Sequence, residues 1–133
     1  MVDIEFFRSQ GYVVVPNIIS ESLVDAVCVG IETFCGVELD DPLTWPSIVT
    51  QKNGLPELNG SGMVELYHHP SMWALRQRPE IYAVFAKLWE HEALWVSIDR
   101  CNLNLPKGVK ENFDGFVHWD VDTSADILPF SLQ

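Results

Sequence analysis

Residues 115–124 read Gly-Phe-Val-His-Trp-Asp-Val-Asp-Thr-Ser, and this stretch bears most directly on the fold and the function of the chain. Its aromatic and β-branched residues predict a strand over 116–120. Residues two apart in a strand project from the same face with Cα atoms roughly 6.7 Å apart, so the side chains of His118 and Asp120 can converge on one ion. The pattern predicts a metal site, although a His and an Asp at this spacing also occur by chance in structural roles.

Four helices are predicted upstream of this motif. They rest on apolar residues at helical spacing, on Ser or Pro at the start and on Gly at the end. Ser20 or Ser22 is expected to cap the second helix, while Gly11 and Gly36 end the first two. The predicted helices cover residues 4–10, residues 23–34, Pro70 to Arg76, and a stretch that begins at Pro79. The last helix is expected to bury a stripe of side chains formed by Ile81, Tyr82, Phe85, Leu88 and Trp89.

Extended segments are predicted between and after the helices. They lie at residues 12–15, 48–49, 94–105 and 116–120, and from Leu128 onward. The longest of them alternates polar and apolar side chains, as expected for a strand with two different faces. Helices early in the chain and strands later indicate an α+β fold, with helices on one side of a sheet. A chain of 133 residues with 47% hydrophobic content can form one core, so we expect a single domain over residues 1–133.

Charge and composition exclude several classes of partner. The formal net charge is −11, from 19 acidic and 8 basic residues, and the Lys and Arg residues do not cluster. Nucleic acid is therefore not an expected partner, and a neutral or cationic small molecule fits this charge better than a polyanion. The sequence has no signal-peptide pattern and no run of roughly 20 apolar residues, which predicts a cytoplasmic protein without a membrane partner. Three cysteines without a CxxC pair fit reduced thiols in the cytosol.

The order of these features resembles the phytanoyl-CoA dioxygenase family over essentially the whole chain. The features are a strand Gly-Tyr-Val-Val-Val-Pro at 11–16, a Ser-capped helix, a Pro-led pair of helices, a polar alternating strand Ser-Ile-Asp-Arg-Cys-Asn-Leu-Asn at 97–104, and the motif His118-Trp119-Asp120. The resemblance implies that the N-terminal helices pack on a double-stranded β-helix, also called a jelly roll.

The same resemblance implies an Fe(II)- and 2-oxoglutarate-dependent dioxygenase that hydroxylates a small organic substrate. His118 and Asp120 would be two members of the two-histidine, one-carboxylate set that holds non-haem iron. Asn102 and Asn104, on the strand before the motif, would contact the co-substrate 2-oxoglutarate or the substrate. Halogenating relatives have a small residue in place of the carboxylate, so Asp120 implies hydroxylation and not halogenation.

The sequence departs from the family pattern after the motif. The family's second ligand histidine and its 2-oxoglutarate-binding basic residue lie several strands further on, whereas 13 residues follow Asp120 here. We therefore expect the front part of a truncated domain, whose open sheet edge is covered by self-association or by a partner that completes the sheet. Two alternatives stay open: a non-catalytic partial domain that acts as an interaction module, and a cupin-like metal-binding protein.

The remaining histidines and tryptophans are interpreted as structural. His68 and His69 are adjacent, so in a strand they would point to opposite faces. His91 and Glu92 resemble the start of a zinc-protease HExxH motif, but position 95 is Trp95 and the second histidine is missing. Core positions are expected for Trp73, Trp89 and Trp95. A contact with a carboxylate stays open for Arg76, Arg78 and Arg100.

Overall fold

The computed structural model describes residues 2–47 and 62–106, together with His118, Asp122 and Ser124. Six elements lie entirely within these ranges and form a small α+β arrangement. They are α1 (Ile4–Gln10), α2 (Glu21–Cys35), β1 (Met63–Val64), α3 (Pro70–Arg76), α4 (Pro79–Trp89) and β2 (Cys101–Asn102).

Helix α1 begins and ends where the sequence predicts. The Asp3 carboxylate accepts a hydrogen bond from the backbone N–H of Phe6 at 2.9 Å, which satisfies one of the unpaired donors at the helix start. Gly11 ends the helix with φ 79°, a left-handed conformation that costs a glycine little. The predicted helix over residues 4–10 is confirmed.

Helix α2 is the longest element and supplies much of the core. Ser20 is its N-cap, and its hydroxyl lies 3.2 Å from the Ser22 hydroxyl without bonding to a helix N–H. Gly36 ends it in the left-handed conformation, as predicted. Ile31 and Cys35 are buried on the face of α2 that packs toward the strands, and α2 also packs against α3.

Helices α3 and α4 each have a proline in the first turn, where the missing N–H costs no hydrogen bond. The predicted stripe of α4 is partly wrong. Tyr82 is 46% exposed, whereas the other four residues of the stripe are half-buried. The Tyr82 hydroxyl donates to the carbonyl of Glu92 at 2.9 Å, so the ring lies along the surface and does not enter the core.

The sheet is shorter than the sequence predicts. Strands β1 and β2 pair antiparallel, with Met63 opposite Asn102 and Val64 opposite Cys101. Residues 94–100 and 12–15 form no strand among the described residues, so these two predictions are wrong as regular strands. A period-two pattern forms a ladder only where another strand donates and accepts hydrogen bonds, and β1 offers two residues. The predictions at 48–49 and from Leu128 onward lie outside the described residues.

The core lies between α2 and the two strands. Its buried cluster contains Ile31, Cys35, Val37 and Val64, with half-buried Cys101, Leu103 and Leu105 packed against it. Alternate residues from 101 to 105 therefore face inward, which confirms the predicted period over this part of the strand. The jelly roll stays a prediction. None of the helices in the described ranges is long and apolar enough to cross a membrane.

Candidate functional site

The two asparagines singled out in the sequence lie next to the same glycine. A Cβ atom added to Gly62 would be 2.7 Å from Oδ1 of Asn104 and 3.4 Å from Oδ1 of Asn102. Both asparagines are exposed, while Cys101 and Leu103 turn toward the core. The alternation of β2 therefore gives two neutral amide groups on one solvent-facing surface, which we call the asparagine pair (Asn102 and Asn104).

Gly62 allows this close approach. Its φ is +81°, and its carbonyl accepts a hydrogen bond from the backbone N–H of Leu103 at 2.8 Å. A Cβ at this position would also be 2.8 Å from the carbonyl oxygen of Leu103, well inside van der Waals contact. The close approach of the asparagine pair to β1 therefore depends on a glycine at position 62, which no sequence motif marks as functional.

The proposed metal motif is described at one of its two residues. His118 is exposed and has no regular secondary structure. Asp120 lies outside the described residues, so the prediction that the two side chains share a face stays a prediction. The predicted strand over 116–120 is not formed at His118, and its other residues lie outside the described residues. Further along, the Asp122 carboxylate accepts hydrogen bonds from the backbone N–H of Ser124 at 2.9 Å and from its hydroxyl at 2.6 Å. These bonds stabilise the carboxylate and lower the pKa of Asp122.

The donor chemistry at this motif suits iron only in part. An exposed imidazole and a carboxylate are two of the three protein ligands that non-haem Fe(II) takes. No group of three His, Cys, Asp or Glu side chains close enough to hold a metal ion occurs within the part of the chain that the structure describes. His118 is exposed, and an iron site at this motif would need a third protein ligand from outside the described residues.

The three upstream histidines make local contacts. The Nδ1 atom of His69 accepts from the backbone N–H of Ser71 at 3.3 Å and lies 2.7 Å from its hydroxyl, which caps α3. His68 stacks on Trp73 with ring centroids 6.0 Å apart. The Nδ1 atom of His91 accepts from the backbone N–H of Ala93 at 3.0 Å. These contacts agree with the structural interpretation of all three residues.

The arginines bind protein groups. Arg76 donates to the carbonyl of Tyr67 at 2.7 Å and to the carbonyl of Asp99, and its guanidinium lies 5.3 Å from the Trp73 ring centroid. This residue joins the loop after β1 to the segment before β2, a role with no local signal in the sequence. Arg78 pairs with Glu80 at 2.7 Å. Arg100 lies 3.7 Å from the Asp99 carboxylate and over the Tyr67 ring.

The tryptophans divide into two groups. Trp73 and Trp89 are half-buried, in agreement with a packing role. Trp95 is 100% exposed, so its predicted core position is wrong. It lies in the segment that was expected to be a strand, and that segment has no ladder partner among the described residues.

The three cysteines are thiols, and two of them belong to the core. Cys101 donates from Sγ to Sδ of Met72 at 3.1 Å. Burial raises the pKa of both Cys35 and Cys101. Cys101 raises the pKa of Cys35 further, and Arg76 partly offsets the increase at Cys101. Thiols with a raised pKa are protonated near neutral pH, which makes a nucleophilic role for these two residues unfavourable.

Comparisons with known proteins give one distant relative. No protein-family model matches the chain, and no solved structure matches it. A stretch of 119 residues, 86% of the chain, is 25% identical to Ava biosynthesis cluster protein O of Aspergillus versicolor. The match covers 38% of that protein, so the chain spans well under half the length of this relative. The similarity gives a weak indication of an enzyme and does not indicate a class of reaction.

Proposed function

We propose that this chain is part of an Fe(II)- and 2-oxoglutarate-dependent dioxygenase that hydroxylates a small organic substrate. The observation that supports the proposal most directly is the asparagine pair, two exposed amides beside Gly62, one in β2 and one two residues after it. The fold that we propose for the complete domain is a jelly roll with α1 to α4 on the outside of its sheet.

In this proposal His118 and Asp120 bind the iron through a neutral imidazole and an ionised carboxylate. The bound iron and 2-oxoglutarate supply the oxidising chemistry, while the protein positions the substrate. The exposed position of His118 suits a ligand that an ion reaches from solvent. The upstream histidines already serve the local structure, so we expect the third ligand from a part of the protein beyond the described residues or from a partner.

The asparagine pair is proposed to hold 2-oxoglutarate. A side-chain amide donates two N–H groups, and hydrogen bonds to a carboxylate are stronger than those between neutral groups. This local attraction matters because a chain with net charge −11 repels a dianion at long range. Amide groups donate hydrogen bonds to the co-substrate and carry no negative charge that would repel it.

The distant relative supports the general direction of the proposal. Its name places that protein in a biosynthesis cluster, and an enzyme that modifies a small organic molecule is compatible with that setting. The substrate class that we propose, a small neutral or cationic organic molecule, follows from the acidic charge of this chain.

Anaerobic Fe(II) titration of the purified chain tests the metal motif. We expect saturable binding that is weakened about tenfold or more by His118→Ala and by Asp120→Asn, because each change removes one of two protein ligands. His91→Ala is the matched control, since His91 is exposed and contacts its own loop. Equal Fe(II) affinity in His118→Ala and the wild type would contradict the proposal. Iron-dependent succinate release is expected to be absent from this chain alone.

A second candidate function is an interaction module without catalysis, whereas a cupin-like metal-binding protein stays a separate alternative. The exposed segment before β2 favours it, because Trp95 is fully exposed and Val96 and Ile98 are 54% and 48% exposed. Adjacent exposed apolar side chains often mark a contact with another protein or another part of the same chain. Sedimentation of the wild type and of Trp95→Ser separates the candidates: self-association that depends on Trp95, without Fe(II) binding, supports the module.

A further inference from the structure

An apolar groove lies between α1, the segment after it and α4. It has a volume of about 520 Å³ and is distinct from the His118 motif and the asparagine pair. Its walls come from two separate parts of the chain, residues 7–19 and residues 81–88. The side chains that matter most here are Phe7, Val15 and Ile19 on one wall and Ile81, Val84 and Phe85 on the other.

We propose that this groove binds an uncharged, hydrocarbon-rich small molecule. Every residue that lines it is neutral, and Tyr12 is the one lining side chain with a polar group. The lining side chains named above are half-buried, so they pack on one side and remain in contact with water on the other. Displacing that water with hydrocarbon is favourable, whereas bringing an ionised group into apolar walls is costly.

One cation beside the groove, Arg8, is already paired with acidic side chains. Arg8 follows Phe7 on α1, and Glu90 follows the last turn of α4, and their side chains meet at 2.8 Å. Glu5 lies 3.7 Å from the same guanidinium. An anionic head group would have to compete with Glu90 and Glu5 for the Arg8 guanidinium. The charge pattern therefore favours a ligand without an anionic head group.

The size of the groove favours a small molecule over a protein. Small-molecule pockets commonly have volumes of roughly 300–1,000 Å³ and mostly apolar walls with a few polar groups. A specific protein interface usually buries roughly 800 Å² on each partner. The groove is concave and bounded by three segments, which suits a compact ligand better than a second copy of the chain.

Fluorescence titration with N-phenyl-1-naphthylamine, an uncharged probe that brightens in apolar surroundings, tests the proposal on the purified chain. We expect saturable binding that weakens about tenfold or more in Val84→Phe, because the larger side chain fills the groove. Val29→Phe is the matched control, since Val29 is 57% exposed on α2 and does not line the groove. Ile19→Phe fills the groove from the opposite wall and replaces Val84→Phe if that variant does not fold.

Competition and sedimentation complete the test. Dodecanol and dodecanoate share a chain length and differ in charge. Dodecanol is expected to displace the probe at lower concentration, because the apolar walls disfavour the ionised carboxylate of dodecanoate. Absence of probe binding, unchanged binding in both filled variants, or equal displacement by the anion would overturn the proposal. A wild-type dimer that Val84→Phe dissociates would assign the groove to a second copy of the chain and would overturn it as well. No step of this experiment uses iron, so its result does not depend on whether the proposed oxygenase function is correct.

Discussion

The imidazole of His69 lies directly against Gly30 of α2. A Cβ atom added at position 30 would be 2.9 Å from Nδ1 and 3.0 Å from Cε1 of this ring. The same Nδ1 atom caps α3 through the backbone N–H of Ser71. One glycine therefore lets the capping side chain of α3 fit between two packed helices, and it couples the start of α3 to the middle of α2.

Gly30→Ala is expected to lower the free energy of unfolding by about 1 kcal/mol. Alanine ordinarily stabilises a helix interior by up to about 1 kcal/mol relative to glycine, but here its Cβ would displace the His69 ring and weaken the cap. Urea unfolding measures the change. In a His69→Ala background the obstruction is gone, so the same substitution should become neutral or stabilising. A stabilising Gly30→Ala in the wild-type background would contradict the close contact.

Gly62→Ala is expected to destabilise the protein by about 2 kcal/mol or more, because a left-handed backbone costs an L-residue about 1–2 kcal/mol and the new Cβ would also meet a carbonyl oxygen. Gly11→Ala is the matched control: its φ is +79°, and a Cβ there would have nothing within 4 Å. Urea unfolding of both variants isolates the contact with Leu103 and Asn104. Equal losses in the two variants would show that conformation alone accounts for the effect.

Arg76→Lys is expected to destabilise the protein by about 1–3 kcal/mol, since an ammonium group cannot reproduce the two-directional bonding to the carbonyls of Tyr67 and Asp99. Arg8→Lys provides the comparison, because both partners in its ion pair with Glu90 are largely exposed and such pairs contribute about 0–1 kcal/mol. Thermal unfolding at one ionic strength measures both. Similar values for the two lysine variants would mean that Arg76 is not a structural bridge.

The helices are predictable because their signals are local. Pro70 and Pro79 occur in first turns, and Gly11 and Gly36 supply the left-handed ends, so each boundary is decided within a few residues. Strands depend on partners that are distant in sequence. Residues 95–99 alternate in the sequence, but all five are exposed in the structure, because alternation does not create a ladder.

The candidate site shows the same difference between features with local signals and features that depend on residues distant in sequence. Alternation over residues 101–105 is enough to predict that Asn102 and Asn104 share a face, because extended backbone has a period of two. Nothing in the sequence predicts the contact of that pair with Gly62, which is about 40 residues away and depends on the pairing of β1 with β2. The Arg76 bridge likewise joins carbonyls at positions 67 and 99, which no short motif encodes.

Burial raises the pKa of Cys35 and of Cys101, so less of each thiol is ionised at a given pH. We therefore expect their reactivity toward iodoacetamide to rise only above the pKa of an ordinary thiol. Their stabilising contribution is likewise present below the ordinary thiol pKa and is lost as pH rises through the folded-state pKa. Arg76→Gln should raise the pKa of Cys101 further. Alkylation followed by peptide mass analysis assigns the rates, and ordinary reactivity at neutral pH in the native protein would count against burial.

Asn102→Asp tests the proposed role of the asparagine pair by changing an amide into a carboxylate of nearly the same shape. If the pair donates hydrogen bonds to 2-oxoglutarate, the change removes the N–H donors and adds a like charge, and we expect at least about tenfold weaker binding of the co-substrate. Equilibrium dialysis of radiolabelled 2-oxoglutarate against the chain with Fe(II), without oxygen, measures it.

Two comparisons make the result specific to this position. Gln77→Glu adds the same negative charge at the exposed C-cap of α3, so it controls for the general repulsion of a dianion by an acidic protein. Asn102→Ala removes the donors without adding charge, and it should fall between the wild type and Asn102→Asp. Fe(II) affinity in the absence of 2-oxoglutarate should not decrease in Asn102→Asp, because an added carboxylate does not repel a cation. If Gln77→Glu weakens 2-oxoglutarate binding as much as Asn102→Asp, then the asparagine pair does not contact the co-substrate and net charge alone explains the loss.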